Sequence, residues 1–463
     1  MSLSQPSHAY IDDMNAGIAR RAEAARRATS AEEAPSYAGQ EALWEAASTS
    51  ADNLRDQLRE LALDLHDHPE EAFAEHHAAA AIAALVRAQG HEVTVGVAGL
   101  DTALRSQWTS ANFQEGDPTI GILAEYDALP GIGHGCGHNI IAAAGVGAYL
   151  AATAALSAHP QVSGRIVLLG TPAEEGHTGK EYMIRGGAFE DIDYAMMVHP
   201  FSYDVAEQAW NGRRTMTATF HGRSAHASSE PFMGRNALDA ASLAYQGLGL
   251  LRQQIPPSDR LHAIITEGGN RPSVIPDTAS LSLYVRSLIP EALMDLSARV
   301  TEVLDGAALM AGVDVDQHWD LHPASLPVRN NHTMAQRWST TQRARGRDVL
   351  PAGVLPATIA ASTDFGNVSH LIPGIHPLVK IADESVALHT TDMAAAARTD
   401  TAITTAVDSA AGLAQLAIDL LADAPLRHAA RAEFEQAGGR QTLAEFMAAT
   451  PGHGSAETTP KDH

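Results

Sequence analysis

The spacing of apolar and polar positions changes twice along the chain. Up to about residue 85 the apolar residues recur at helical intervals. "RRAEAARRAT" and "ADNLRDQLRELALDLHDHPE" have this spacing with few breakers, so the stretch reads as mostly helical. "EEAPSYAGQ" interrupts it. From about residue 92 short apolar runs alternate with helical segments. "TIGILAEYDALPG" is a strand that ends in a Pro-Gly stop, and "NIIAAAGVGAYLAATAALSAH" is an apolar helix ahead of Pro160. "GRIVLLGTPAEEG" and "DYAMMVHP" are further strands. Continuous apolar strands alternating with helices predict an α/β domain with a mostly parallel sheet.

From about residue 213 the period drops towards two. "RRTMTATFHGRSAHAS" alternates as a strand with one face to solvent. It is followed by the amphipathic helix "NALDAASLAYQGLGLLRQQI", the strands "LHAIITEGG" and "TASLSLYVRSL", and the helix "PEALMDLSARVTEVLDGAALMAG". Residues 213–325 therefore read as an inserted α+β unit, because the α/β texture resumes after it. The expected organisation is an α/β domain made of residues 1–212, with its helical N-terminal segment, and 326–448. A final helix is expected over 426–446, and a polar, disordered tail over 449–463.

Length and composition add limits. A chain of 463 residues exceeds the size at which one core stops growing, so two domains are expected. With 31 basic and 55 acidic side chains the net charge is −24, which argues against non-specific binding of nucleic acid or of anionic membranes. A single cysteine excludes an intrachain disulfide framework and fits a reducing compartment. "MSLSQPSHAYIDDMNAG" lacks the basic-then-apolar pattern of a secretory leader, and no run reaches about 18 strongly apolar residues. The expectation is a cytoplasmic protein with no membrane span.

Candidate chemistry collects just past the apolar strands, where open α/β sheets bind ligands. One strand runs into Asp127, His134, Cys136 and His138, a second into Glu174 and Glu175, and a third into His199. A further histidine, His389, follows the strand-like "HPLVKIAD". In "GIGHGCGHNI" the glycines allow a thiol and an imidazole to turn towards one point, and both are good zinc ligands. A cysteine nucleophile with a histidine base is a competing reading, as is a turn with a chance cysteine and a backbone-bonded His134. No helix N-terminal nucleophile motif is apparent. In the Glu174-Glu175 pair one carboxylate can bind metal while the other acts as general base; alone, the pair also reads as a solvated helix N-terminus. His66, His68, His76 and His77 read as a solvated or packing segment. Jointly, the thiol, three histidines and the Glu pair are hard to explain as accidents.

"EYDALPGIGHGCGHN", "TPAEEG", "VHP", "FHGRSAHAS", "RPSVIPD", "STDFGNVSHLIPGIHP" and "LHTTD" resemble the dinuclear-metal peptidase and amidohydrolase family. That family holds aminoacylase, glutamate carboxypeptidase and the auxin-conjugate hydrolases. Within it the chain most resembles the branch of p-aminobenzoyl-glutamate hydrolase and the Xaa-basic dipeptidases. The resemblance implies a catalytic domain with an inserted lid, a homodimer through that lid, and hydrolysis of the amide bond of a dipeptide or N-acyl amino acid. It implies two divalent ions, zinc or manganese with cobalt as a further fit, held by Cys136, His138, Glu175, His199 and His389 with Cys136 bridging. It makes Glu174 the base that takes a proton from the attacking water and passes it to the departing amine. It makes His226 the lid residue that stabilises the oxyanion. Asp127 and His134 would orient ligands by hydrogen bonds, and Arg286, Ser273 and Asp364 would contact substrate. Ser273 departs from the asparagine usual before "VIP", which bears on substrate preference. The remaining alternatives are a cysteine-nucleophile hydrolase using Cys136 and a non-catalytic accessory or binding subunit on the same scaffold.

Overall fold

A strand that is apolar at every position needs cover on both faces, and this requirement organises the larger of the chain's two parts. The computed structural model describes residues 6–29 and 41–449. "EEAPSYAGQ" and the tail after residue 449 lie outside the described residues. The chain divides into two compact units. The first comprises Met1–Ala209, Arg329–Ala360 and Val368–Arg440, and the second Trp210–Val328 and Ala361–Asn367 with the chain from Gln441.

The first unit opens with helices Ala9–Thr29, Glu41–Asn53, Arg55–Asp67 and His76–Ala88. Then come β1 (Val93–Val95), β2 (Leu104–Thr109), β3 (Thr119–Ala124), helix His138–Ser157, β4 (Arg165–Gly170), helix Gly179–Arg185, β5 (Tyr194–Met196) and β6 (His199–Phe201). The second unit holds β7 (Gly212–His221), β8 (Arg260–Glu267), β9 (Thr278–Ser287), β10 (Asp314–Trp319) and helices Ala237–Leu251 and Pro290–Ala311. The first unit resumes with helix His332–Ala344, β11 (Gly374–Ile375), β12 (Leu378–Lys380) and helices Asp400–Ala422 and Ala424–Gln436.

The central sheet has the order β1-β2-β4-β3-β5-β11. The pairs β3–β4, β3–β5 and β5–β11 are parallel, while β1 and β2 are added antiparallel at one edge. All six residues of β3 are buried, with Ile120 opposite Ile166 and Ile122 opposite Leu168. This is the mostly parallel α/β sheet expected from the apolar runs. β6 and β12 form a separate parallel pair in which His199 lies opposite Leu378.

Helices His138–Ser157 and Asp400–Ala422 are long and apolar enough to cross a membrane by length and composition. Their apolar windows are 89% and 94% buried in the protein, which is the setting of core helices. Gly147 shows how closely they pack: a Cβ there would come within 2.6 Å of Leu58 and 2.8 Å of Ala410.

The second unit is an antiparallel sheet of order β10-β7-β9-β8. One face, with Met216, Ala218, Phe220, Leu281, Leu283 and Val285, packs on Ala240, Ala244, Leu248, Val300 and Leu304 of its two helices. β10 was not anticipated: in "DVDQHW" the solvent-side positions are charged or polar, which hides the apolar alternation. The expected helix over 426–446 is two helices, Ala424–Gln436 and Leu443–Ala449. Gly438 and Gly439, at φ 110° and 62°, end the first.

Candidate metal centre and active site

The functional side chains of the first unit leave the sheet at one end. β3 ends at Ala124 and leads through Asp127 to Cys136. β4 ends at Gly170 and leads to Glu174 and Glu175. His199 opens β6. Gly137 caps helix His138–Ser157 in the left-handed region at φ 78°, and a Cβ there would lie 2.8 Å from Pro200. Only glycine fits both demands, so the turn between Cys136 and His138 is fixed by its sequence. His389 has φ 61° and its backbone N–H donates to the Gly135 carbonyl at 2.9 Å. That bond ties the two ligand-bearing loops together.

Cys136, His138, Glu174, Glu175, His199 and His389 come together. One donor atom each from Cys136, His138 and His199 lie within 4.8 Å of one another. The same holds for Cys136, Glu175 and His389, and for His138, Glu174 and Glu175. Cys136 is common to the first two groups. Its sulfur is 3.5 Å from His199 Nε2, and Glu175 Oε1 is 3.9 Å from His138 Nε2 and 3.6 Å from His389 Nε2.

The ring tautomers follow from the other nitrogens. His138 Nδ1–H donates to Asp127 Oδ1 at 3.0 Å, and His199 Nδ1–H donates to the Pro200 carbonyl at 2.8 Å. Both Nε2 lone pairs are then directed at the sulfur and the carboxylates. Asp127 Oδ2 also accepts the Glu175 N–H at 2.8 Å, so one buried carboxylate orients an imidazole and the Glu pair. His138 Nε2 and Glu175 Oε1 are buried and make no hydrogen bond of normal geometry, as donor atoms for a cation would. Thiolate, imidazole and carboxylate around such atoms fit divalent metal ions.

The electrostatics agree. Burial lowers the pKa of His199 to about 3, aided by His138, which leaves the ring neutral, the form in which an imidazole serves as a ligand. Burial is the largest single influence on His138 and works against its charged form, but Asp127, Cys136 and Glu125 together raise that ring well above its ordinary value. His138 would give up that proton to serve as a ligand through Nε2. Burial, with Glu175 beside it, pushes the Cys136 thiol well above its ordinary range. A nucleophile and a metal ligand both need the thiolate, which a cation beside the sulfur would favour. Cys136 stands at a helix N-terminus, one residue before the cap Gly137.

His134 does not hydrogen-bond a member of the set. Its buried Nε2 bonds the Leu65 carbonyl at 3.1 Å, which pins the Cys136 loop to helix Arg55–Asp67. The expectation that it orients a ligand by hydrogen bond is corrected accordingly. His68 and His77 both bond Asp64 at the surface, with His77 Nε2 at 2.8 Å from Asp64 Oδ2.

Three residues near the centre were missed. Glu125 and Lys180 form a fully buried ion pair, and Glu125 Oε2 lies 3.5 Å from His138 Nε2. Glu125 stands inside the quoted "EYDALPG", and Lys180 follows the Glu pair in the polar run "EEGHTGKEYMIR", which gives no sign of its burial. His376 is fully buried with its ring centroid 5.6 Å from that of His199.

In the second unit, His226 is exposed and forms a bridge with Val274. Its Nδ1 accepts the N–H groups of Ser228 and Ser229 at 3.3 and 3.2 Å, so Nε2 carries the proton and is a donor. Ser273 is exposed, and its carbonyl accepts the Ala227 N–H at 3.0 Å. Arg286 lies over the Tyr284 ring at 4.8 Å, with Arg213 and Arg260 opposite it on the neighbouring strands. Asp364 is buried just before the short helix Phe365–Ser369.

Comparison with known proteins decides the family. The model of peptidase family M20/M25/M40 matches residues 121–450. The chain belongs to peptidase family M20/M25/M40. The chain is 34% identical over 403 residues to the Xaa-Arg dipeptidase of Mus musculus, covering 85% of this chain and 93% of that one. It is 27% identical over 454 residues to one of the two kinds of chain of the p-aminobenzoyl-glutamate hydrolase of Escherichia coli (strain K12), covering 82% of this chain and 92% of that one. In fold it is similar to a dinuclear metal binding peptidase of the M20 family from Bacillus subtilis. The TM-score is 0.60 at 19% identity, over 80% of this chain and 99% of that one. The aminobenzoyl-glutamate utilization protein of Klebsiella pneumoniae gives a TM-score of 0.62 at 20% identity, over 79% of this chain and 96% of that one. This M20 member is an enzyme acting on amide bonds.

Proposed function

We propose that this M20 hydrolase cleaves a dipeptide or N-acyl amino acid with two divalent ions in the centre described above. The observation that carries the reading is the sharing of Cys136 by two donor groups, one with His138 and His199 and one with Glu175 and His389. One thiolate between two ligand pairs suits a bridged pair of ions. The mixture of soft and hard donors fits zinc, manganese or cobalt. When bound, such ions supply positive charge that acidifies water and polarises the scissile carbonyl.

The chain's own groups divide the remaining work. Glu174 adjoins the ligand Glu175 and takes the proton of the attacking water, then hands it to the departing amine. His226, donating from Nε2, stabilises the oxyanion, reaching across a homodimer formed through the lid unit. Arg286 takes a substrate carboxylate through its forked donors, with Ser273 and Asp364 as further substrate contacts. The similarity to the Xaa-Arg dipeptidase and the net charge of −24 favour a basic residue in the substrate. A reducing, cytoplasmic setting suits a centre whose thiol must stay unoxidised.

The test is Glu174→Gln. Turnover of a cleavable dipeptide falls by at least about a thousandfold while two ions per chain remain bound. Wild-type turnover in that variant removes Glu174 from the role. The cysteine-nucleophile alternative requires full activity in chelator and loss on alkylation.

A further inference from the structure

The turn that presents the Glu pair is bent unfavourably. Ala173, immediately before Glu174, has φ 60°, a region costly for a residue with a Cβ. Such a residue persists where neighbours over-determine it. Its carbonyl accepts the Gly179 N–H at 2.9 Å, and its own N–H donates to Glu75 Oε1 at 2.8 Å. Glu75 is fully buried, and its other oxygen accepts the Thr102 hydroxyl at 2.8 Å. Thr102 is itself held, since the Tyr126 hydroxyl donates to its carbonyl at 2.6 Å. Two residues earlier, Phe73 packs edge-on against His177 at 5.5 Å, and His177 Nδ1 bonds the Glu175 carbonyl at 2.8 Å. The loop Phe73–Glu75 thus grips the turn at both ends, 98 residues away in sequence where Glu75 meets Ala173.

We propose that Glu75 is a positioning residue of the hydrolytic centre, pinning the left-handed Ala173 so that Glu174 is aimed at the attacking water. Asp127 fixes the Glu175 N–H on the ligand side, and Glu75 fixes the residue preceding Glu174 on the base side. Without the second anchor Ala173 relaxes towards negative φ and the Glu174 carboxylate swings. Misplacement of a reacting group by about 1 Å costs on the order of a hundredfold in rate. This rests on the reading of Glu174 as base.

Reach and charge can be separated by two variants. Glu75→Gln keeps the length and an acceptor for Ala173, and the Thr102 hydroxyl can turn to accept from the new amide. Glu75→Asp keeps the charge but is one methylene short. In metal-loaded enzyme, Glu75→Gln retains kcat within about threefold. Glu75→Asp and Glu75→Ala lose about 10- to 100-fold in kcat with KM within about threefold and two ions still bound. The inference is overturned if Glu75→Asp matches wild type while Glu75→Gln is impaired, since charge and not reach would then matter. It is also overturned if the melting temperature falls but kcat of the loaded enzyme does not. Glu174→Gln, run beside them, separates the two claims: an active Glu174→Gln sinks the base assignment, whereas a dead one with fully active Glu75→Asp sinks only the positioning role.

Discussion

Replacing Asp127 by asparagine changes one atom and breaks a requirement that no amide can meet. The carboxylate accepts from two donors at once, His138 Nδ1–H at 3.0 Å and the Glu175 N–H at 2.8 Å. An asparagine offers one acceptor and one NH2 group. If the NH2 faces His138, the ring must accept at Nδ1, its proton moves to Nε2, and the lone pair aimed at Cys136 and Glu175 is lost. If the NH2 faces Glu175, two donors meet in a buried place. Asp127 is 1% exposed, so water does not repair either arrangement. A buried hydrogen bond to a charged group contributes about 1.5–3 kcal/mol, and about 1.4 kcal/mol is a factor of ten.

Asp127→Asn therefore weakens zinc binding by about 10- to 100-fold, a range typical for partners that orient a metal-ligating histidine. Competition with a chromophoric chelator measures the affinity, and kcat at saturating zinc separates occupancy from geometry. Activity should recover in part at high zinc, because Cys136, His199 and the Glu pair are untouched. Affinity and kcat both within twofold of wild type would refute the tautomer argument.

Three further results are expected. His134 has a pKa of about 3, lowered by burial from 6.5. The unfolded chain therefore takes up a proton below pH 6.5 that the folded one refuses, and stability falls as pH drops from 6.5 towards 3. Against His134→Gln, whose amide nitrogen reaches the position of Nε2 and keeps a donor for the Leu65 carbonyl, the wild type should lose about 1.4 kcal/mol more per pH unit in urea unfolding of metal-stripped protein; equal slopes would contradict this. His226→Ala should lower kcat by about 10²–10³-fold with metal content unchanged, and a normal kcat would remove its oxyanion role. Gly147→Ala should destabilise by about 1–3 kcal/mol in thermal unfolding, since its Cβ would sit 2.6 Å from Leu58; an unchanged melting temperature would show that the helices can part.

The parallel sheet was legible because β3 and β4 are apolar at nearly every position, which is incompatible with an open face. The neighbourhood was legible for a related reason: polar side chains collect just past such strands, so Asp127, Cys136, Glu175 and His199 stood out as candidates where the runs stop, while their selection as ligands came from the family resemblance. β10 was hidden by its polar solvent face, and the break at Gly438-Gly439 was read through as helix. Long-range partners were invisible. Glu75 looks like one more acid in "EEAFAEHH", and nothing local says that it meets Ala173. Glu125 and Lys180 are ordinary charges until burial pairs them. His134 shows the converse, since its position beside Cys136 suggested a ligand's partner and its ring turns to a helix carbonyl.

The central claim is most directly tested by stripping metal from the protein and measuring amine release from Xaa-Arg dipeptides and N-acyl amino acids, before and after zinc, manganese or cobalt is restored. The account expects no cleavage by stripped protein, and recovery that saturates at two ions per chain. Full activity in the stripped protein would contradict it and return Cys136 to consideration as a nucleophile.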